Sequence, residues 1–238
     1  MEGENIKNQS SESFLLAILL TFVGGFLDAY TYCCRGGVFA NAQTGNIVKV
    51  GMTLANGMYF KTIRYFIPIV TFVIGIFVVM LIRDKCRETH FHWRQLILMI
   101  ESFLVVIVSF IPMQTYLNIL VNIMVSFLCA IQAESFKKIL GKPFSSTMCT
   151  GNLKSGSEYL YQVIKNHDRS YLRNVKYYVT IIISFILGVM ISVYISTVLF
   201  EKSILVVLIP LSCSILYMKN EDYKHYTNHM IMRKPKLE

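Results

Sequence analysis

The chain has 238 residues, 54% of them hydrophobic and 16% charged, with 23 Lys and Arg against 14 Asp and Glu and a formal net charge of +9. A soluble domain carries about 25% charged residues, so this chain cannot clothe a water-facing surface, and a mean hydropathy of +0.51 agrees. The same balance argues against disorder and against a soluble basic domain that binds nucleic acid. It leaves a polytopic, all-α membrane protein.

In chain order, residues 1–12 read MEGENIKNQSSE, acidic with one lysine. No small-residue cleavage site precedes a soluble domain, so the apolar stretch that follows is expected to be a permanent helix and not a signal peptide. Six stretches approach the ~20 apolar residues of a bilayer span: 13–33, 65–82, 95–112, 115–135, 177–200 and 203–218. Lipid forces backbone groups to pair within the segment, so these spans are helices. The alternation of membrane strands is missing. Pro68, Pro112 and Pro210 read as kinks or helix ends. The six cysteines form no CxxC pair and no ligand spacing with histidine, so they read as small packing residues, with no metal or cofactor implied. His90, His92, His225 and His229 form no constellation.

Two stretches resemble each other: GGVFANAQTGNIVKVG at 36–51 and GKPFSSTMCTGNLKSG at 141–156. Each carries Thr-Gly-Asn followed by a lysine and a glycine. A carboxylate, Asp28 or Glu134, stands sixteen residues before each threonine. A glycine-ended apolar span follows each motif, at Gly75 and Gly188. The ordered set, twice, indicates an internal duplication. If the motifs do not cross the bilayer, 18 of the 23 Lys and Arg fall on one side and 5 on the other. By the positive-inside rule the richer side is cytoplasmic.

The expected fold is therefore an all-α transmembrane bundle of six spans, arranged as two inverted three-helix repeats. Residues 1–12 form a cytoplasmic N-terminal segment. The first repeat covers 13–112 with a motif helix at 38–56. The second covers 113–218 with a motif helix at 144–165, and 219–238 is a basic cytoplasmic tail. Each motif helix is short and either re-entrant or interfacial.

The motif residues suggest a chemistry. Thr44 and Thr150 are candidate N-caps, and Gly45 and Gly151 allow close approach or unusual backbone angles. Helix N-termini present free N–H groups and partial positive charge, which suit an anionic or polar solute. Asn46, Asn152, Lys49 and Lys154 stand beside them. Carboxylates within apolar spans are costly. Asp28, in GGFLDAYTY, can take a proton or cation or pair with Lys49. Glu101 lies well inside its span, as a relay or a neutral acid. Glu134 stands four residues before Lys138, the favourable direction for a helical ion pair. Gln132 can hydrogen-bond across helices.

GGFLDAYTY, GGVFANAQTGN and MCTGNLKSG together resemble the YoaK family of bacterial membrane proteins, a family of unknown function, over about residues 13–218. Members commonly read Asn-Met-Thr-Gly-Asn where this chain has Asn41-Ala42-Gln43-Thr44. They often read Gln-Asn where it has Gln132-Ala133-Glu134. The resemblance implies a multi-pass protein of the bacterial plasma membrane, with no established substrate, catalytic residue or cofactor. On the residues alone, the leading expectation is a non-enzymatic small transporter or channel for a small polar or anionic solute, with the path between the two halves. The alternatives are a non-catalytic assembly partner and, below it, a lipid-acting enzyme. Partners are the bilayer and anionic headgroups at the basic loops and tail. The arrangement also allows a homodimer.

Overall fold

The computed structural model describes residues 13–85 and 93–232. Eight α-helices follow one another among them: α1 Phe14–Cys34, α2 Gln43–Ala55, α3 Tyr59–Lys85, α4 Trp93–Ser109, α5 Thr115–Ser135, α6 Cys149–Asn166, α7 Leu172–Leu199 and α8 Leu208–Met232. Local chemistry sets several of their ends. Ser13 caps α1 by accepting the Leu16 N–H at 3.5 Å. Gly36 and Gly37, at φ +86° and +72°, turn the chain out of α1. The α2 helix closes at Gly57, φ +67°, and the Met58 N–H returns to the Thr53 carbonyl at 2.8 Å. Pro68 is accommodated inside α3, whereas Pro112 lies beyond the end of α4.

The apolar stretches at 13–33, 65–82, 95–112, 115–135 and 177–200 all become helix. The last one differs from expectation. Residues Phe200–Val207 form a 3-10 segment, and α8 starts only at Leu208. Pro210 then sits in the first turn of α8, where its missing N–H costs no helical bond. Residues 219–232, expected as tail, continue α8 as helix. A small antiparallel hairpin, β1 Lys138–Ile139 with β2 Lys142–Pro143, precedes α6. Its two-residue loop, Leu140 and Gly141, has positive φ at both positions, as the strand twist requires.

Among the described residues, four helical runs are long and apolar enough to cross a bilayer: α1, α3, α5 and the continuous run Arg169–Asn220. That run has 52 residues, about 78 Å if straight. It breaks at Phe200, whose φ is +50°. The α4 helix has 17 residues.

Burial separates the helices into two classes. α1 is the core: 72% of its most apolar window is buried, against 22% for α3. Phe66, Val73, Ile74, Phe77 and Leu81 of α3 point outward, as do Ile183, Met190 and Tyr194 of α7. An apolar outer face around a buried central helix is the pattern of a chain solvated by lipid. Packing is tightest at glycines. A Cβ at Gly188 would lie 2.2 Å from the Phe22 carbonyl, and one at Gly75 2.6 Å from Ala130 Cβ. Thus α7 lies on α1, and α3 lies on α5. Likewise α2 packs on α3 and α6 on α7, while α4 packs on α5 and α8 on α1. The molecule is an all-α, polytopic membrane helix bundle.

Candidate functional site at the crossing of two interhelical links

The link from α1 to α2 and, apart from its hairpin, the link from α5 to α6 are irregular backbone. The asparagine of each Thr-Gly-Asn holds its own link in place. Asn46 Oδ1 accepts the Phe39 N–H at 3.3 Å, and its Nδ2 donates to the Phe39 carbonyl. Asn152 Oδ1 accepts the Ser145 N–H at 3.2 Å, and its Nδ2 donates to the Ser145 carbonyl at 2.7 Å. Both asparagines are buried. A primary amide has the donor and acceptor of a peptide unit, so each side chain pairs with the link as a neighbouring strand would.

Held this way, the two links meet in the interior. Asn41, fully buried, donates through Nδ2 to the carbonyl of Thr147, 1% exposed and 106 positions later. Asp28 Oδ1 accepts the Asn41 and Ala42 N–H groups at 2.9 and 3.3 Å. Gln132 Nε2 donates to Ser146 Oγ at 2.8 Å and to the Leu20 carbonyl at 3.0 Å. The second link presses on α1 so closely that a Cβ at Gly24 would lie 2.4 Å from the Ser146 carbonyl.

This geometry corrects several expectations. α2 starts at Gln43 and α6 at Cys149, after Ala42 and Met148, so Thr44 and Thr150 are first-turn residues and not caps. Both threonines are exposed. The α2 end is served instead by Asp28, and the Met148 N–H by Ser145 Oγ at 3.2 Å. Gly45 and Gly151 do not have positive φ. A Cβ at Gly45 would press on the Phe39 ring at 2.9 Å, and one at Gly151 would meet nothing within 4 Å. Lys49 does not pair with Asp28. It donates to the Gly37 carbonyl and lies 4.8, 4.9 and 5.0 Å from the rings of Tyr32, Phe39 and Tyr65. The α5 helix ends at Ser135, so Glu134 cannot make a helical pair with Lys138. It pairs with Lys137 at 2.6 Å and faces Arg83 at 3.6 Å. Lys154 is exposed and faces Glu158 at 3.9 Å.

Glu101 is fully buried on α4, and neither carboxyl oxygen has a partner among the described residues. The Cys129 thiol on α5 lies within electrostatic reach of both Asp28 and Glu101. Further buried atoms without a partner among the described residues line α5 at Asn122 Oδ1, Ser126 Oγ and Gln132 Oε1, and the crossing itself at Asn41 Oδ1 and Thr147 Oγ1. Native interiors pair nearly all such atoms, so this concentration marks the region.

Beside the second motif, a cavity of about 500 Å³ is lined by Ser155, Tyr159, Gln162, Tyr171 and Tyr178. It adjoins one of about 380 Å³ lined by Gly151, Asn152 and Lys154. Lys142 donates to Asn174 and lies 5.3 Å from the ring of Tyr159, a lining residue. Burial, with Arg173 nearby, holds the Lys142 ammonium below its ordinary range. Among the described residues, no three His, Cys, Asp or Glu gather as metal ligands. His90 and His92 lie outside the described residues.

Sequence reasoning did not single out Asn41, Ser146, Thr147 or Arg35 as site residues. Aligning the two motifs places Asn41 opposite Thr147, which was the available signal. Arg35 carried none: it reads as a loop cation, yet it is fully buried. Its guanidinium bonds Tyr30 Oη at 2.9 and 2.5 Å, the Ile111 and Pro112 carbonyls, and Asn118 Oδ1. It pins the end of α1 to the turn between α4 and α5.

The chain matches the family described as "Protein of unknown function (DUF1275)" over residues 16–217. It is also similar to the UPF0700 transmembrane protein YoaK of Bacillus subtilis (strain 168), 28% identical over 146 residues. That alignment covers 59% of this chain and 64% of the relative's length. No solved structure matches the chain.

Proposed function

The chain belongs to the DUF1275 family, and on that premise we propose that this multi-pass protein of the bacterial plasma membrane is a small transporter. Its solute is small and polar and passes between residues 13–112 and 113–218. The observation that carries the reading is the meeting of two separate links, at Asn41 and Thr147, inside a helix bundle. Irregular backbone at membrane depth is tolerated where it is buried in protein or lines a water-filled path. Crossed pairs of broken segments at a repeat interface are where secondary transporters bind substrate.

The helix pairings support six spans in two inverted halves. Exchanging α1–α4 for α5–α8 turns α1 on α7 into α5 on α3, and α2 on α3 into α6 on α7. On this reading α2 and α6 are re-entrant, the first opening outward and the second inward. Both termini are cytoplasmic, as the charge distribution requires. The path residues are Asp28, Asn46, Lys49, Glu101, Gln132, Asn152 and the exposed first turns at Thr44–Gly45 and Thr150–Gly151. Glu134 and Lys154 stand at the inner mouth.

Single cysteines at Thr44 and Thr150, placed in a cysteine-free chain, test this. The expected result is that an impermeant thiol reagent labels Thr44→Cys only from outside and Thr150→Cys only from the cytoplasmic side. Labelling of both from one face overturns the inverted arrangement and the path with it.

A further inference from the structure

We infer that the crossing of the two links is a binding site for a monovalent alkali cation, held by Asp28, Asn41, Gln132 and Thr147. As the coupling ion, this cation rests on the transport reading; as a binding site, it stands on the geometry alone.

The sign of the ligand follows from which hydrogen-bonding valences remain. Both amide nitrogens at the crossing already donate, and of their four N–H groups only one, on Asn41 Nδ2, has no partner among the described residues. Asn41 Nδ2 is given to the Thr147 carbonyl, and Gln132 Nε2 to Ser146 Oγ and the Leu20 carbonyl. The positive end of α2, which suited an anion on sequence grounds, already faces the Asp28 carboxylate. What remains is mostly acceptor oxygen: Asn41 Oδ1, Gln132 Oε1 and the Thr147 hydroxyl, which can also donate, all buried and unpartnered among the described residues. Among the described residues, Asp28 accepts its bonds through Oδ1 and none through Oδ2.

These oxygens belong to residues joined by one set of hydrogen bonds. The amides of Asn41 and Gln132 each grip the Ser146–Thr147 dipeptide with the nitrogen bonded to the same carbon as the spare oxygen. Thr147 supplies its own hydroxyl, and Asn41 ties Asp28 to the group. Among the described residues, no cationic side chain pairs with Asp28. The ion pairs among the described residues involve Asp84, Glu134 and Glu158, not Asp28. Lys49 is engaged by Gly37 and three rings, and Arg35 by neutral oxygens.

Identity follows from the ligand set. Oxygen-only coordination selects a hard cation. One carboxylate with two amide oxygens and a hydroxyl balances a single positive charge, whereas calcium sites use several carboxylates.

The test measures binding of ²²Na⁺ to the purified full chain in detergent, at constant ionic strength with choline chloride as balance. The expected result is saturable binding of one ion per chain, displaced by unlabelled Na⁺ or K⁺ and not by choline. Asp28→Asn weakens it by more than about tenfold, and Thr147→Val weakens it less. Thermal unfolding of the wild-type chain, with and without Na⁺, gives a readout that needs no variant to fold. A Na⁺-dependent rise in Tm is expected. The proposal is overturned if the wild-type chain shows neither saturable binding nor a Tm rise, or if folded Asp28→Asn binds as the wild type does. Ion binding with both cysteines labelled from one face keeps the site and removes the transport reading. Opposite-face labelling without ion binding does the reverse.

Discussion

Asn46 and Asn152 do the same work in two places. Each side chain makes two bonds to a backbone unit seven residues earlier. Truncation leaves a half-buried N–H and C=O without their partner, so Asn46→Ala or Asn152→Ala is expected to cost about 1–3 kcal/mol. Thr44→Ala and Thr150→Ala remove exposed hydroxyls and should stay within about 0.5 kcal/mol. Thermal unfolding in detergent ranks the four, and a costlier threonine would show that the clamp is misassigned. Glu101 makes the opposite case. Its carboxyl is buried with no partner among the described residues, and replacing such a group by an apolar one of similar shape is neutral or stabilising. Glu101→Met is therefore expected to raise Tm; a fall would mean that the carboxyl has a partner, such as internal water.

At the scale of elements, close helix contacts explain which glycines matter. Gly188 and Gly25 face backbone: a Cβ would lie 2.2 Å from the Phe22 carbonyl at the first and from the Phe185 carbonyl at the second. Backbone cannot swing aside, so Gly188→Ala must push α7 off α1, at an expected cost of about 1–3 kcal/mol or more. Gly51 lies within α2 and a Cβ there would meet nothing within 4 Å. Gly51→Ala should be stabilising by about 0.5–1 kcal/mol, through the backbone entropy it removes. Comparing their Tm values checks the pair, and equal effects would argue against the α1–α7 packing.

At the scale of the whole molecule, the charge asymmetry has a structural counterpart. Lys137, Lys138, Lys165, Arg169, Arg173 and Lys176 are all exposed around the hairpin and the start of α7. This face suits anionic headgroups, and each cation near such a surface contributes about 1 kcal/mol. Changing Lys137, Lys138 and Arg173 together to Gln should lower retention of phosphatidylglycerol on the purified protein, measured by mass spectrometry. Retention equal to the wild type would remove this face as the lipid contact.

Composition and span length by themselves determined the class of this protein, because burying so many apolar residues with so few charges leaves lipid as the only solvent. Five of the six apolar stretches could be placed from the sequence, since a continuous apolar run must be helical in a bilayer. The family and the kinship of the two motifs were also legible, because both are patterns in the chain itself. The tertiary structure decided the rest. Which oxygens are left unpaired depends on what packs against them, so Asn41 and Thr147 acquire meaning only when two distant links meet. It also decided that Gln132 reaches the crossing at Ser146 while Glu134 pairs with Lys137 just past the end of α5, because α5 ends at Ser135 and the hairpin returns the chain toward Gln132. Arg35, a loop cation by position, is an internal clasp because α1 ends against the α4–α5 turn. Spacing along a chain constrains neighbours within an element, and contacts between elements are set by the packing of all of them together.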